Sequence, residues 1–198
     1  MKEIALIVTD SGPLITLGVA RALETLLLLK LPVIIPDMVR HEVIRDLTKP
    51  GAGEVAEWLR ATEGRGVMVA STQVFEEFEI LRKVNPATKT NNRGEQAAAE
   101  VLSREFERGN TGAILLFEDS GVRKANFLIR LPDEVVVIST SEFLYGLESQ
   151  KLVKSARDIL ARAVDIRGNN VLTRHVRSST DDEEAPSWST KIKRIGPK

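Results

Sequence analysis

Short unbroken apolar runs alternate along this chain with stretches of helical period. Residues 4–8, 31–35, 67–69, 113–117 and 135–138 are dominated by Ile, Leu, Val and Ala without polar alternation. That is the pattern of strands covered on both faces, as in parallel sheets. Between them, Leu14, Ile15 and Leu17, then Leu23, Leu26 and Leu27, recur at helical spacing, with Gly18 as the expected break between two short helices. Residues 37–47 carry a stripe of Met38, Val39, Val43 and Leu47, and a further helix is expected over 53–62. Val74, Phe75, Phe78 and Leu81 form the apolar side of another helix, ended by Asn85-Pro86. A polar, Asn-rich loop over 87–94 leads into a helix over 95–106, with Ala98, Leu102 and Phe106 facing inward. Two last helices are expected around 143–147 and 152–164. The alternation predicts an α/β fold around a mostly parallel sheet of about five strands.

Two runs end at acids. The first stops at Asp10-Ser11-Gly12-Pro13 and the fourth at Glu118-Asp119-Ser120-Gly121. In open α/β sheets ligands bind outside the carboxyl ends of the strands, which is where these acids fall. Two more acids stand on helix stripes that face inward: Glu42 lies three and four residues from Val39 and Met38, and Glu95 begins the stripe of its helix.

Each acid also has an ordinary use. Asp10 and Asp119 could cap the helices that follow them. Asn92-Arg93-Gly94-Glu95 fits a capping box, and Glu42 could reach water over an apolar stem. Taken together they would repel one another in one crevice, and some would hold a proton at neutral pH. A divalent cation removes that conflict. All-oxygen donors, with neither histidine at a ligand-like spacing, favour magnesium or manganese over zinc.

Composition narrows the choice of chemistry. The 28 basic and 28 acidic residues cancel, so no global field holds a polyanion and any nucleic-acid grip must be local. Cysteine is absent, which excludes disulfides, thiol catalysis and cysteine-ligated zinc. With 198 residues the chain suits one core: a domain over 1–165 and a polar, partly disordered tail over 166–198. The tail holds an acidic run at 181–184 and basic Lys191, Lys193, Arg194 and Lys198. Neither a leader pattern in the first 30 residues nor an apolar run of roughly 20 residues is found, so a cytoplasmic location without a membrane is expected.

At these residues the sequence resembles the PIN-domain ribonucleases. The resemblance lies in Asp10-Ser11 with Leu14-Ile15 after the first strand, Pro36-x-x-Val39-x-x-Glu42, Gly94-Glu95 opening an alanine-rich helix, and Glu118-Asp119 with Arg123, Lys124 and Ala125 after the fourth strand. It covers residues 4 to about 160. It implies a three-layer α/β/α sandwich, an acidic pocket at the strand ends, and magnesium- or manganese-dependent cleavage of RNA. Asp10, Glu42, Glu95 and Asp119 fall on the family's acidic positions, as catalytic and metal-binding residues, with Glu118 competing with Asp119. Ser11, Arg93, Glu118, Arg123, Lys124 and Thr140 fall where substrate could be met. Within the family the favoured role is a VapC-like toxin, with RNA, an antitoxin protein and a second copy of the chain as candidate partners.

Other readings compete with it. A non-toxin RNA-processing PIN protein or a non-catalytic PIN scaffold would share the pattern. A signalling receiver domain also gathers carboxylates at strand ends, but it carries adjacent acids after its first strand, whereas Asp10 precedes Ser11. An Asp-based phosphatase needs a second Asp at position 12, which is glycine, and no glycine-rich dinucleotide fingerprint follows the first strand.

Overall fold

A computed structural model describes residues 3–118, 131–167 and 188. Five four-residue strands form one all-parallel sheet, in the order β3-β2-β1-β4-β5. They are β1 (Leu6–Thr9), β2 (Val33–Pro36), β3 (Val67–Ala70), β4 (Ala113–Leu116) and β5 (Val135–Ile138). The helices are α1 (Ser11–Val19), α2 (Asp37–Ile44), α3 (Ala52–Thr62), α4 (Gln73–Val84), α5 (Arg93–Glu107), α6 (Thr140–Ser149) and α7 (Ala156–Arg167), with a 3-10 turn at Leu23–Leu27. Every residue of β1, β2 and β4 is buried, as their unbroken apolar runs require, while the edge strands β3 and β5 are only partly covered.

Successive side chains of a strand point to opposite faces, and that alternation sorts the core into layers. Ile7, Val33, Ile35, Ile114 and Leu116 pack on one face with Leu14 and Leu17 of α1, Val55 and Leu59 of α3, and Phe143 and Leu144 of α6. Leu6, Val8, Ile34, Ala113 and Leu115 pack on the other with Ala98, Val101 and Leu102 of α5. The chain is therefore a three-layer α/β/α sandwich. A small third cluster of Met38, Phe78 and Ala97 joins α2, α4 and α5.

The two short helices expected on either side of Gly18 form, with the break just after it: α1 ends at Val19 and the 3-10 turn starts at Leu23. Gly18 itself is where α1 meets the chain at Gly51, with no room for a Cβ beside the Gly51 carbonyl. Several local expectations give way to packing. The stripe over 37–47 stops early, since α2 ends at Ile44 and leaves Leu47 61% exposed. Leu81 of α4 is likewise exposed rather than inward. The last helix begins at Ala156, leaving Leu152 outside it. Asn92 takes a left-handed conformation (φ 57°) and makes no side-chain cap, so the expected capping box does not form. A capping box forms instead at α6, between Ser139 and Glu142.

Two described residues bear on the boundary at 165. α7 continues to Arg167, and Trp188 is buried in the main core. The rest of the tail over 166–198 lies outside the described residues. Among those described, no helix is long and apolar enough to cross a membrane.

Candidate active site

The sheet order reverses between β1 and β4, and in open α/β sheets it is at the carboxyl ends of the strands flanking such a switch point that ligands bind. The Asp10 amide donates to Leu116 O at 3.0 Å, and the Phe117 amide to Ile138 O at 3.0 Å. The first bond ties the end of β1 to β4 and the second the end of β4 to β5. Glu118 lies against the start of α1, where a Cβ at Gly12 would stand 3.0 Å from its own.

Asp10 stands at the N-cap position of α1, but its side chain makes no capping hydrogen bond. Its carboxyl is pushed up to about 7, first by burial and further by the negative charges of Glu42, Glu95 and Glu118; the Ser11 amide offsets part of this. Glu42, on α2, is also raised, chiefly by burial and in smaller part by Glu95, against the hydroxyls of Ser11 and Thr90 and the charge of Arg45. Four acids from four separate segments thus share one field.

Gly94 is what lets them approach. A Cβ at this buried position in the first turn of α5 would stand 2.9 Å from Glu42 Oε2 and 3.2 Å from Asp10 Oδ1. Any other residue would press on both carboxylates at once. Glu118 is held differently, for Thr140 Oγ1 donates to its Oε1 at 2.6 Å and Thr16 Oγ1 to its Oε2 at 2.9 Å. Both threonines are fully enclosed, at 0% and 1% exposure, so their hydroxyls are committed to this task.

The structure therefore brings together Asp10, Glu42, Glu95 and Glu118, with Ser11 and Thr140 in contact with the acids. Arg93 neighbours Gly94 and lays its guanidinium over the Phe78 ring, 5.7 Å from the centroid. Asp119, Arg123 and Lys124 lie outside the described residues. Of the two adjacent acids after β4 only Glu118 is among the described residues, and its charge reaches Asp10. Sequence reasoning did not single out Thr16 and Thr90. Thr16 lies 102 residues from the acid it binds, and nothing in its neighbourhood announces that contact.

The donor set suits a hard divalent cation in kind: it is all carboxylate oxygen, and its members disfavour one another's charge. The side chains are not closed around a common point, and among the described residues no group of three or more His, Asp or Glu stands ready to hold a metal ion. Asp10 and Glu42 come nearest to a shared site, at Gly94. No family model matches the chain, and no curated protein matches it.

Proposed function

We propose that this protein is a magnesium- or manganese-dependent endoribonuclease of the PIN kind, hydrolysing phosphodiester bonds of single-stranded or structured RNA. The single observation that carries the reading is Asp10: a carboxyl at a strand end beside three other acids, raised to about 7. Groups perturbed in this way by burial and like charge cluster at functional sites. The scaffold has no evident use for a repelling set, whereas a cation would relieve it.

Asp10, Glu42, Glu95 and Glu118 would hold the ion, and Asp119 stays a candidate on sequence grounds. Bound there, the metal would supply an acidified water and offset the charge on the departing oxygen. The chain's own residues set the stage. Thr16 and Thr140 fix the rotamer of Glu118, Ser11 and Thr90 orient Glu42, and Gly94 keeps the space before Asp10 clear. Arg93, next to Gly94 in sequence, would be the cation to meet a phosphate. The toxin role and its antitoxin partner rest on the family resemblance alone.

The test incubates purified protein with labelled single-stranded RNA and manganese, beside an EDTA control and Asp10→Asn. Cleavage is expected only in the first. Cleavage that survives EDTA or the substitution overturns the proposal, because it would then come from another site or a contaminant.

A further inference from the structure

Phe, Trp and Tyr together make up only 5% of the chain. Two of the phenylalanines nonetheless meet an imidazole between α2 and α4. The His41 ring stands 5.5 Å from Phe75 and 5.3 Å from Phe78, centroid to centroid, and the two phenylalanine rings lie 6.2 Å apart. Phe78 is buried in the small third cluster with Met38 and Ala97. His41 and Phe75 stay partly exposed. The core thus encloses one of the three rings and leaves the other two at its edge, open to solvent over part of their surface.

The rings adjoin the acids from two directions. His41 directly precedes Glu42 on α2. Arg93, whose guanidinium lies over the Phe78 ring, directly precedes Gly94, where a Cβ would press on both Glu42 and Asp10. Consecutive Cα atoms are about 3.8 Å apart, so each of these links is a single short step. Arg82 also lies over Phe78, 5.9 Å from its centroid, but Glu79 pairs with it at 3.1 Å and offsets its charge. Partly exposed rings beside a cation are what proteins use to seat the splayed bases of single-stranded RNA.

We infer that His41 and Phe75 form a shelf on which one nucleobase of the RNA stacks, next to the bond that is cut, with Arg93 on the phosphate of that nucleotide. This rests on the ribonuclease reading and adds where the strand is held. A chain of zero net charge exerts little long-range pull on a polyanion. A stacked base holds the strand without such a pull. Every base has a π-face, so the shelf sets the register of the strand and not its sequence. Phe78 steadies the Arg93 guanidinium from beneath by a cation-π contact.

The test walks a single abasic residue along a labelled single-stranded oligoribonucleotide and measures kcat/KM for cleavage with manganese. One position beside the cut should lose about 5- to 100-fold, the scale of one stacked base, and the others little. The same ratio should appear in affinity, read by fluorescence anisotropy in EDTA, where nothing is cut. The double variant His41→Ala/Phe75→Leu should lose that factor on intact RNA and nothing further on the oligonucleotide lacking the sensitive base, because the stack is already gone. Leucine keeps an apolar contact in the cluster, and circular dichroism verifies the fold; should the variant not fold, the walk on wild-type protein decides alone. If no position is sensitive, or if the two losses multiply, the shelf is wrong while the nuclease stands, and the rings are core packing or a seat for a protein side chain. A wild type that cleaves none of the oligoribonucleotides overturns both.

Discussion

Adjacent strands of this sheet end in two acids that are treated in opposite ways. Asp37 follows β2 and is saturated with donors: its Oδ1 accepts from the Met38 amide at 2.8 Å and the Thr72 hydroxyl at 2.7 Å, and its Oδ2 from the Thr72 amide at 3.0 Å. Glu100 completes the same corner, accepting from the amides of Gln73 and Val74 at the start of α4. Asp10 follows β1, caps nothing with its side chain, and faces three other carboxylates. A carboxylate supplied with amides ties α2 to α4 and belongs to the scaffold. One left among like charges is available to something that is not yet there.

The sharpest way to break this contrast is to make the same change at both ends. Asp10→Asn should lower RNA cleavage by about 10²–10³-fold, the scale on which one preorganised electrostatic group matters, with the fold retained. Asp37→Ala should do the reverse. It strands two amides and a hydroxyl, so unfolding in urea should show a loss of about 3 kcal/mol, while cleavage per folded molecule stays near wild type. If Asp37→Ala abolished cleavage in protein that is still folded, the division between scaffold and site would be drawn in the wrong place.

The pH dependence of stability sharpens it further. Asp10 titrates from 3.8 unfolded to about 7 folded, so the folded state holds the proton more tightly between those values. Its contribution to metal-free stability is complete below about pH 4 and is lost as pH rises through 7. Asp10→Asn removes the buried charge and should therefore stabilise the metal-free protein at pH 8 by about 2 kcal/mol, less than the full shift implies because the crevice is partly open to water. Urea titrations at pH 5 and pH 8 measure this. Equal pH dependence in the two proteins would show that Asp10 is not the group under strain.

Much of this was legible before any coordinates. Unbroken apolar runs located all five strands: β1, β2 and β4 because strands buried on both faces are apolar throughout, and the edge strands β3 and β5 because they keep such a run although they are only partly covered. The acids at the ends of β1 and β4 followed from those runs. Helix ends were harder: Gly18 serves a close approach between segments that only the fold reveals, and Asn92 takes a left-handed turn before α5 in place of a side-chain cap. Asp37 drew no attention, for an acid opening a helix after proline looks ordinary, and only Thr72, 35 residues away, reveals its work. Trp188 was hidden by averaging. A window of polar residues conceals one aromatic, and the notch that receives it is a glycine, Gly146.

Glu118 stands between the two kinds of acid, and the smallest effect tests where it belongs. Its charge raises Asp10, yet each of its oxygens accepts a threonine hydroxyl, as an anchored carboxylate would. Thr16→Val keeps shape and volume while removing one donor. If Glu118 is a metal-holding group whose orientation is set from behind, manganese affinity measured by calorimetry should fall about tenfold, with little change in the urea midpoint. Thr140→Val should act alike. The double substitution should cost less than the two single losses multiplied, because a carboxylate already released by the first has little orientation left to lose. Unchanged manganese affinity together with a lower urea midpoint would instead place Glu118 with Asp37, as part of the scaffold, and leave the crevice to Asp10, Glu42 and Glu95.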